Sequence, residues 1–314
     1  MKKKAIIISI KGLKLSTREK FLLLNEHPWG LILFKRNIKS INQVKKLISN
    51  IRHFTRDKKF PIMIDEEGAS VSRLNNIINH NVSANFFGNL YQKDKALCVN
   101  LYKHYLNSLS KILKNIGINI NTVPVLDVLR RSTNKIIGSR SFSIDKNIVK
   151  KLGEITVKEL HLCKIGNVIK HIPGHGCAVS DSHKKMPKVS LSLVKLNEID
   201  FYPFKLGAAK FGMTSHILYQ KLDKYNVATF SKKIINNIIR KKIGFKGILM
   251  SDDIAMKALK YDLITNAKKS LEAGCNLVLY CTGNIDDNLK LIRSVPYIDQ
   301  FTTKKTSEFY KFLG

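Results

Sequence analysis

A single (β/α)8 barrel of the TIM type is the fold class this sequence predicts, and three observations carry it. Eight short, apolar, β-branched runs recur along the 314 residues, the stretches between them are long enough for helices, and no linker, repeat or low-complexity segment divides the chain. The runs are continuously apolar rather than alternating, which is the pattern of parallel strands buried on both faces. Eight such strands with interposed helices close most simply into a barrel, and α/β barrels of about 250 residues with insertions form one unit. Residues 1–314 are therefore read as one barrel domain.

The first run, 5–10, follows Lys2-Lys3-Lys4 and imitates a secretion signal. Lys11 ends its apolar part after six residues and no small-residue cleavage site follows, so it is read as a first strand in a cytoplasmic protein. The remaining strands are expected at 30–34, 60–65, 120–127, 167–173, 213–217, 247–252 and 276–280. Helical patterns fall between them at 41–54, 93–116, 145–165, 196–211, 232–243, 254–273 and 286–295. Ser231 stands as an N-cap ahead of Ile234 and Ile235, and Gly244 and Gly274 stand just past helix ends. The carboxyl ends of barrel strands carry the chemistry, and the polar residues there are Asp65, Asp127, Lys170, His171, His216, Asp252 and Asp253. Two connections, 66–84 and 174–192, are too long for turns, and loops of that length in a compact domain serve function or motion.

Composition excludes several classes. A 44% hydrophobic chain builds a sizeable core, which excludes intrinsic disorder, and no apolar run approaches the ~18 residues of a membrane span. The five cysteines are odd in number and form no C-x-x-C pair, so they read as reduced thiols. Against 23 acidic residues stand 55 Lys and Arg, a net charge of +32. One reading is binding to nucleic acid or another anionic surface through counterion release; the other is a drift of exposed positions toward Lys. The lysines lack aromatic interleaving and no zinc, RRM or helix-turn-helix signature is present. The charge therefore predicts weak, salt-dependent association with any polyanion, but no specific nucleic-acid partner and no membrane.

Three segments carry candidate chemistry. Lys170-His171-Ile172-Pro173-Gly174-His175-Gly176 runs on to Asp181-Ser182-His183. Its histidines invite a metal, but they do not form an H-E-x-x-H helix and Pro173 and Gly174 break one, so no metal is expected. Asp181 and His183 are two apart, close enough for the carboxylate to fix the imidazole's tautomer and make an acid/base dyad; an Asx-turn on a surface loop is the alternative. Gly174 and Gly176 are natural hinges for that loop. The second segment, 247–254, ends an apolar strand in Asp252 and Asp253. A carboxylate there suits nucleophilic attack on a sugar's anomeric carbon, or Ser251 or Asp252 caps the following helix while Asp253 complements its dipole. In the third, Asp65-Glu66-Glu67-Gly68 is followed by Arg73, acceptors and donors suited to adjacent sugar hydroxyls or to a structural salt bridge.

Together the three segments, with Ser251-Asp252-Asp253-Ile254 continuing to Met256, resemble the bacterial β-N-acetylhexosaminidases of glycoside hydrolase family 3, the NagZ type. The likeness runs from about residue 5 to residue 285 and extends to the second and fourth strand regions, around Gly30 to Phe34 and Pro124 to Asp127. It implies a cytoplasmic enzyme of cell-wall recycling that removes terminal N-acetylglucosamine from muropeptide fragments, in one barrel, as a monomer, without metal or other cofactor. By motif Asp252 takes the nucleophile's place and His183 that of the acid/base, with Asp181 its partner. Asp65, Arg73, Arg140, Lys170 and His171 fall where the family binds the sugar. Departures exist: Ala69-Ser70 stand where Gly-Arg is usual, Ser139 and Phe142 flank Arg140 where Glu and Tyr are common, and the tail after Tyr280 is short and Lys-rich. Two alternatives stay open. A His that has donated its proton is neutral and admits phosphate, so the same scaffold suits N-acetylglucosaminide phosphorolysis; and a degenerate barrel could bind polyanions without catalysis.

Overall fold

The computed structural model describes residues 2–130, 133, 137–178 and 186–314. Its strands are β1 (Lys4–Ile8), β2 (Pro28–Leu33), β3 (Ile62–Ile64), β4 (Ile120–Asn121), β5 (Gly166–Ile172), β6 (Lys188–Val189), β7 (Phe211–Thr214), β8 (Leu218–Tyr219), β9 (Ile248–Asp253) and β10 (Leu277–Leu279). Eight of them, in the order β1-β2-β3-β4-β5-β7-β9-β10, close into a parallel barrel. The short β6 and β8 pair separately beside its mouth-side loops, with Lys188 opposite Leu218. The helices are α1 (Thr17–Asn25), α2 (Ile41–Thr55), α3 (Ala84–Lys93), α4 (Lys95–Ile116), α5 (Lys146–Leu162), α6 (Leu193–Glu198), α7 (Leu263–Ala273), α8 (Ile285–Ser294) and α9 (Gln300–Leu313), with a π-helical stretch at Ile234–Lys242. The expected barrel is therefore the fold.

The barrel strands are buried on both faces because one core fills the barrel and another lies under the helices. Ile7, Ile32, Met63, Val168, Met213, Met250 and Leu277 fill the barrel, while Ile6, Ile8, Leu31, Leu33, Ile62 and Ile64 pack against the surrounding helices. Register aligns Lys170 with Met213 and Met213 with Met250, so the ends of β5, β7 and β9 reach the same level. That level is where the site lies.

The other end of the barrel is closed by α9, an element for which the Lys-rich tail gives no expectation. Asp299 caps it, and Thr302, Thr306, Phe309 and Phe312 form its buried face. Phe309 meets Phe211 edge-on at 5.1 Å, and the Trp29 indole donates to Thr306 Oγ1 at 2.8 Å, so the plug is fixed by both packing and a buried hydrogen bond. Other differences have local causes. The expected strand 120–127 forms a regular ladder at Ile120–Asn121, and beyond Pro124, which cannot donate, meets β5 again at a Val125–Lys170 bridge. The expected helix 196–211 gives way to α6 and a turn at Tyr202–Phe204 containing Pro203. The expected helix 254–273 starts only at Leu263, where Asp262 accepts from the amides of Ile264 and Thr265. Among the described residues, no helix is long and apolar enough to cross a membrane.

Candidate active site

The loop after β3 is folded by a buried carboxylate. Glu66 Oε1 accepts from Ser72 Oγ at 2.6 Å and lies 2.7 Å from His80 Nε2, and its Oε2 accepts from the amides of Arg73 and Leu74 at 2.7 and 3.0 Å. Those bonds turn the chain back so that Arg73 Nη2 reaches Asp65 Oδ2 at 3.3 Å. Asp65 also takes Lys170 Nζ at 3.2 Å and the Thr122 hydroxyl. Lys170 in turn meets Thr122 Oγ1 at 2.9 Å and Glu67 Oε1 at 2.5 Å, and Arg140 clamps Glu67 with two parallel bonds of 2.7 and 2.9 Å.

The result is one chain of charge, Arg73–Asp65–Lys170–Glu67–Arg140, with three cations and two carboxylates drawn from three separate parts of the sequence. Burial alone would raise both acids. For Asp65 the charges of Lys170 and Arg73 outweigh it and hold the carboxyl well below the usual range; for Glu67 Arg140 and Lys170 do the same, to about 2. The salt-bridge and hydroxyl-binding readings of Asp65 and Arg73 are thus compatible: the pair exists, and both side chains remain partly exposed to the cavity.

At the end of β9 two adjacent carboxyls diverge. Asp252 Oδ1 accepts from the Asp253 amide at 2.8 Å. Burial pushes Asp252 up, but His171, His216, that amide and Lys170 together bring it below its ordinary value. Asp253 turns its Oδ1 to the amides of Ala255 and Cys281, at 3.1 and 3.2 Å, and so ties β9 to the residue beyond β10. Burial first, then the neighbouring Asp252 charge, push Asp253 up to about 6. Neither residue caps a helix, since Asp262 caps α7. Both line the same cavity, but Asp252 stands there as an ionised carboxylate whereas Asp253 is spent on two backbone amides.

His171 is oriented from β4's extension. Its Nδ1 lies 2.7 Å from Asp127 Oδ2, and Asp127 Oδ1 accepts from the amides of His171 and His175 at 3.3 and 2.6 Å. Burial pushes His175 down to about 4, which leaves it neutral near pH 7. The glycines beside it are packed closely against neighbouring backbone. A Cβ on Gly176 would sit 1.8 Å from the Val128 carbonyl oxygen, and one on Gly174, at φ +140, 3.0 Å from Asp200; the Gly174 carbonyl is taken by the Tyr219 hydroxyl. Close approach of backbones explains both. Asp181 and His183, the expected acid/base pair, lie outside the described residues.

Asp65, Arg73, Arg140, Lys170 and Asp252 line one cavity of about 340 Å³, with Phe34, Met213, Met256 and Cys281 as its less polar wall. Its size is at the small end for ligand sites. Among the described residues no group of three or more His, Cys, Asp or Glu is arranged to hold a metal ion. Sequence reasoning misses Glu67, Thr122 and the orienting role of Asp127. Glu67 stands within a quoted motif, and Asp127 at a strand end, but their partners lie 44 or more residues away.

The Lys170–Glu67–Arg140 cluster makes a pH prediction. A carboxyl lowered from 4.5 to about 2 adds stability that is fully present above 4.5 and is lost as pH falls through about 2. In thermal melts from about pH 6 to about pH 2, the Tm advantage of the wild type over Glu67→Gln is expected to shrink across that window. An advantage independent of pH would show that Glu67 stabilises by shape alone.

The family model described as "Glycosyl hydrolase family 3 N terminal domain" matches residues 2–300. The chain is 32% identical over 310 residues to a protein named Beta-hexosaminidase from Actinobacillus succinogenes, covering 94% of this chain and 87% of that one. A Beta-hexosaminidase from Neisseria meningitidis is 32% identical over 283 residues, 88% of this chain and 77% of that one. Among solved structures, NagZ from Neisseria gonorrhoeae in complex with N-trifluoroacetyl-D-glucosamine superimposes with a TM-score of 0.88 at 29% identity, covering 98% of this chain and 90% of that one.

Proposed function

The chain belongs to glycosyl hydrolase family 3 and is a glycoside hydrolase, and on that premise we propose that it is a retaining exo-β-N-acetylglucosaminidase. Its substrate in this reading is a peptidoglycan (muropeptide) fragment, from which it removes terminal N-acetylglucosamine in the cytoplasm during cell-wall recycling, as a monomer. The observation that carries the reading is Asp252, a carboxylate kept ionised at the wall of a small cavity and faced by the Asp65–Lys170–Arg73–Arg140 set. The sugar is suggested by the relatives named Beta-hexosaminidase and by the glucosamine derivative in the NagZ complex.

In step one Asp252 attacks the anomeric carbon through an oxocarbenium-like transition state, while protonated His183 gives its proton to the departing oxygen. In step two His183 takes a proton from water, which attacks the same carbon and frees Asp252. Asp181 orients the imidazole. Lys170, Arg73 and Arg140 donate charge-assisted hydrogen bonds to sugar hydroxyls, Asp65 accepts from them, and His171 adds a further contact. A cavity that suits one sugar residue favours release from a chain end.

Turnover of an aryl N-acetyl-β-glucosaminide tests the reading. Release of the aryl alcohol is expected; none, from a folded protein, would favour a degenerate barrel that binds polyanions. Phosphorolysis is the second reading, favoured by the excess of cations over carboxylates in the five-residue chain of charge. Product analysis in phosphate buffer separates the two, because only phosphorolysis yields N-acetylglucosamine 1-phosphate.

A further inference from the structure

His216 is fully buried just beyond β7 and is not among the residues that line the cavity. Its two ring nitrogens are both engaged. Nε2 lies 3.0 Å from the carbonyl oxygen of Asp253, and Nδ1 lies 2.7 Å from Thr229 Oγ1. A carbonyl only accepts, so Nε2 carries a proton and donates it. Thr229 is itself fixed: its Oγ1 lies 3.1 Å from the Ser215 carbonyl oxygen and 2.8 Å from Thr214 Oγ1, and all three residues are fully buried. The imidazole is thus a rigid strut between the end of β7 and the end of β9.

What the strut holds is the backbone next to the nucleophile. Asp253 donates its amide to Asp252 Oδ1 at 2.8 Å. Its carbonyl takes His216 and, at 3.1 Å, the amide of Met256 in the cavity wall; its carboxylate is bound to Ala255 and Cys281. Without the His216 bond, residue 253 is tied to β10 and to its own loop but not to β7. The amide that aims the Asp252 carboxylate is then held from the β10 side alone, with nothing among the described residues fixing it from β7.

We propose that His216 is a positioning residue for Asp252, holding the Asp253 peptide so that the carboxylate points at the anomeric carbon. The inference rests on the reading of Asp252 as the nucleophile and deepens it. Electrostatics agree in direction: against the upward push of burial, His171 and then His216 draw the Asp252 carboxyl down. Sugar binding is left to Asp65, Arg73, Lys170 and Arg140, which are held in place by one another, by Glu67 and by Thr122, and to His171, which is held by Asp127. Misplacing a reacting group by about an ångström costs about 100-fold in rate, so the loss should appear in kcat and not in KM.

The experiment is steady-state kinetics on an aryl N-acetyl-β-glucosaminide for the wild type, His216→Ala, His216→Gln and Thr229→Val, each with its Tm. His216→Ala is expected to lose about 100-fold in kcat with KM within about threefold of the wild type. His216→Gln, whose amide nitrogen can donate to the Asp253 carbonyl, should recover at least about tenfold of that loss. Thr229→Val, which frees the ring at Nδ1, should lower kcat less than His216→Ala and also spare KM. If His216→Ala does not fold, the Gln and Val variants decide. Full kcat in His216→Ala, no recovery in His216→Gln, or a loss carried by KM would overturn the proposal. A wild type that turns over nothing would instead overturn the assignment of the activity, and the positioning role with it.

Discussion

Asp252→Ala is expected to lose about 10⁴-fold or more in kcat while the protein stays folded, because the substitution removes the attacking atom and almost nothing from the packing. The carboxylate accepts a hydrogen bond from the next residue's amide, and the other groups that lower it act as charges at a distance. The neighbour should behave in the opposite way. Asp253→Ala strips the acceptor from the amides of Ala255 and Cys281; water replaces it at the exposed Ala255 amide, whereas the partly buried Cys281 donor is left unpaired, at a cost of about 1–3 kcal/mol. It is expected to lower Tm more than rate. Kinetics and thermal melts of the pair check both halves: a dead, stable Asp253→Ala beside an active Asp252→Ala would reverse the two assignments.

The second large effect depends on the leaving group. His183→Ala is expected to slow substrates with poor leaving groups by about 10²–10⁴-fold, and activated aryl glycosides far less, because only the former need a proton delivered as the bond breaks. Asp181→Ala should act in the same direction but more weakly, by leaving the imidazole without its partner. Measured across a series of aryl glycosides, the slope of log rate against leaving-group pKa should steepen in His183→Ala. Equal losses at every leaving group, with an unchanged pH profile, would show that another group is the acid.

Strands buried on both faces are written as unbroken apolar runs, so β1, β5 and β9 are legible in the sequence to within a few residues. A carboxylate ending such a run, like Asp252, is conspicuous because it must face the barrel mouth. Helices written against a high density of lysine are harder to read. The buried face of α9 is only Thr302, Thr306, Phe309 and Phe312, and its two threonines do not look apolar in a sequence. The start of α1 is marked by Ser16 and Glu19, a capping box, but its buried leucines are few. The chain of charge at the site is legible only as separate members. Asp65 and Arg73 are near in sequence, whereas Lys170 joins them from 105 residues away and Arg140 reaches Glu67 across 73. That convergence is a property of barrel closure, which brings the ends of β3, β4 and β5 side by side. Gly174 and Gly176 show the same limit: a sequence shows that a position tolerates unusual φ, but not that a neighbouring carbonyl leaves no room for a Cβ.

Catching Asp252 bonded to sugar is the most direct test of its role as nucleophile. An activated 5-fluoro N-acetylglucosaminide slows both steps through its electron-poor ring, while its good leaving group lets the first outrun the second. Peptide mapping by mass spectrometry after incubation should find one glycosyl adduct, on the peptide carrying Asp252, and none in Asp252→Ala. An adduct on Asp253 or Asp65, or an inverted product with no adduct on any residue of an active enzyme, would contradict it.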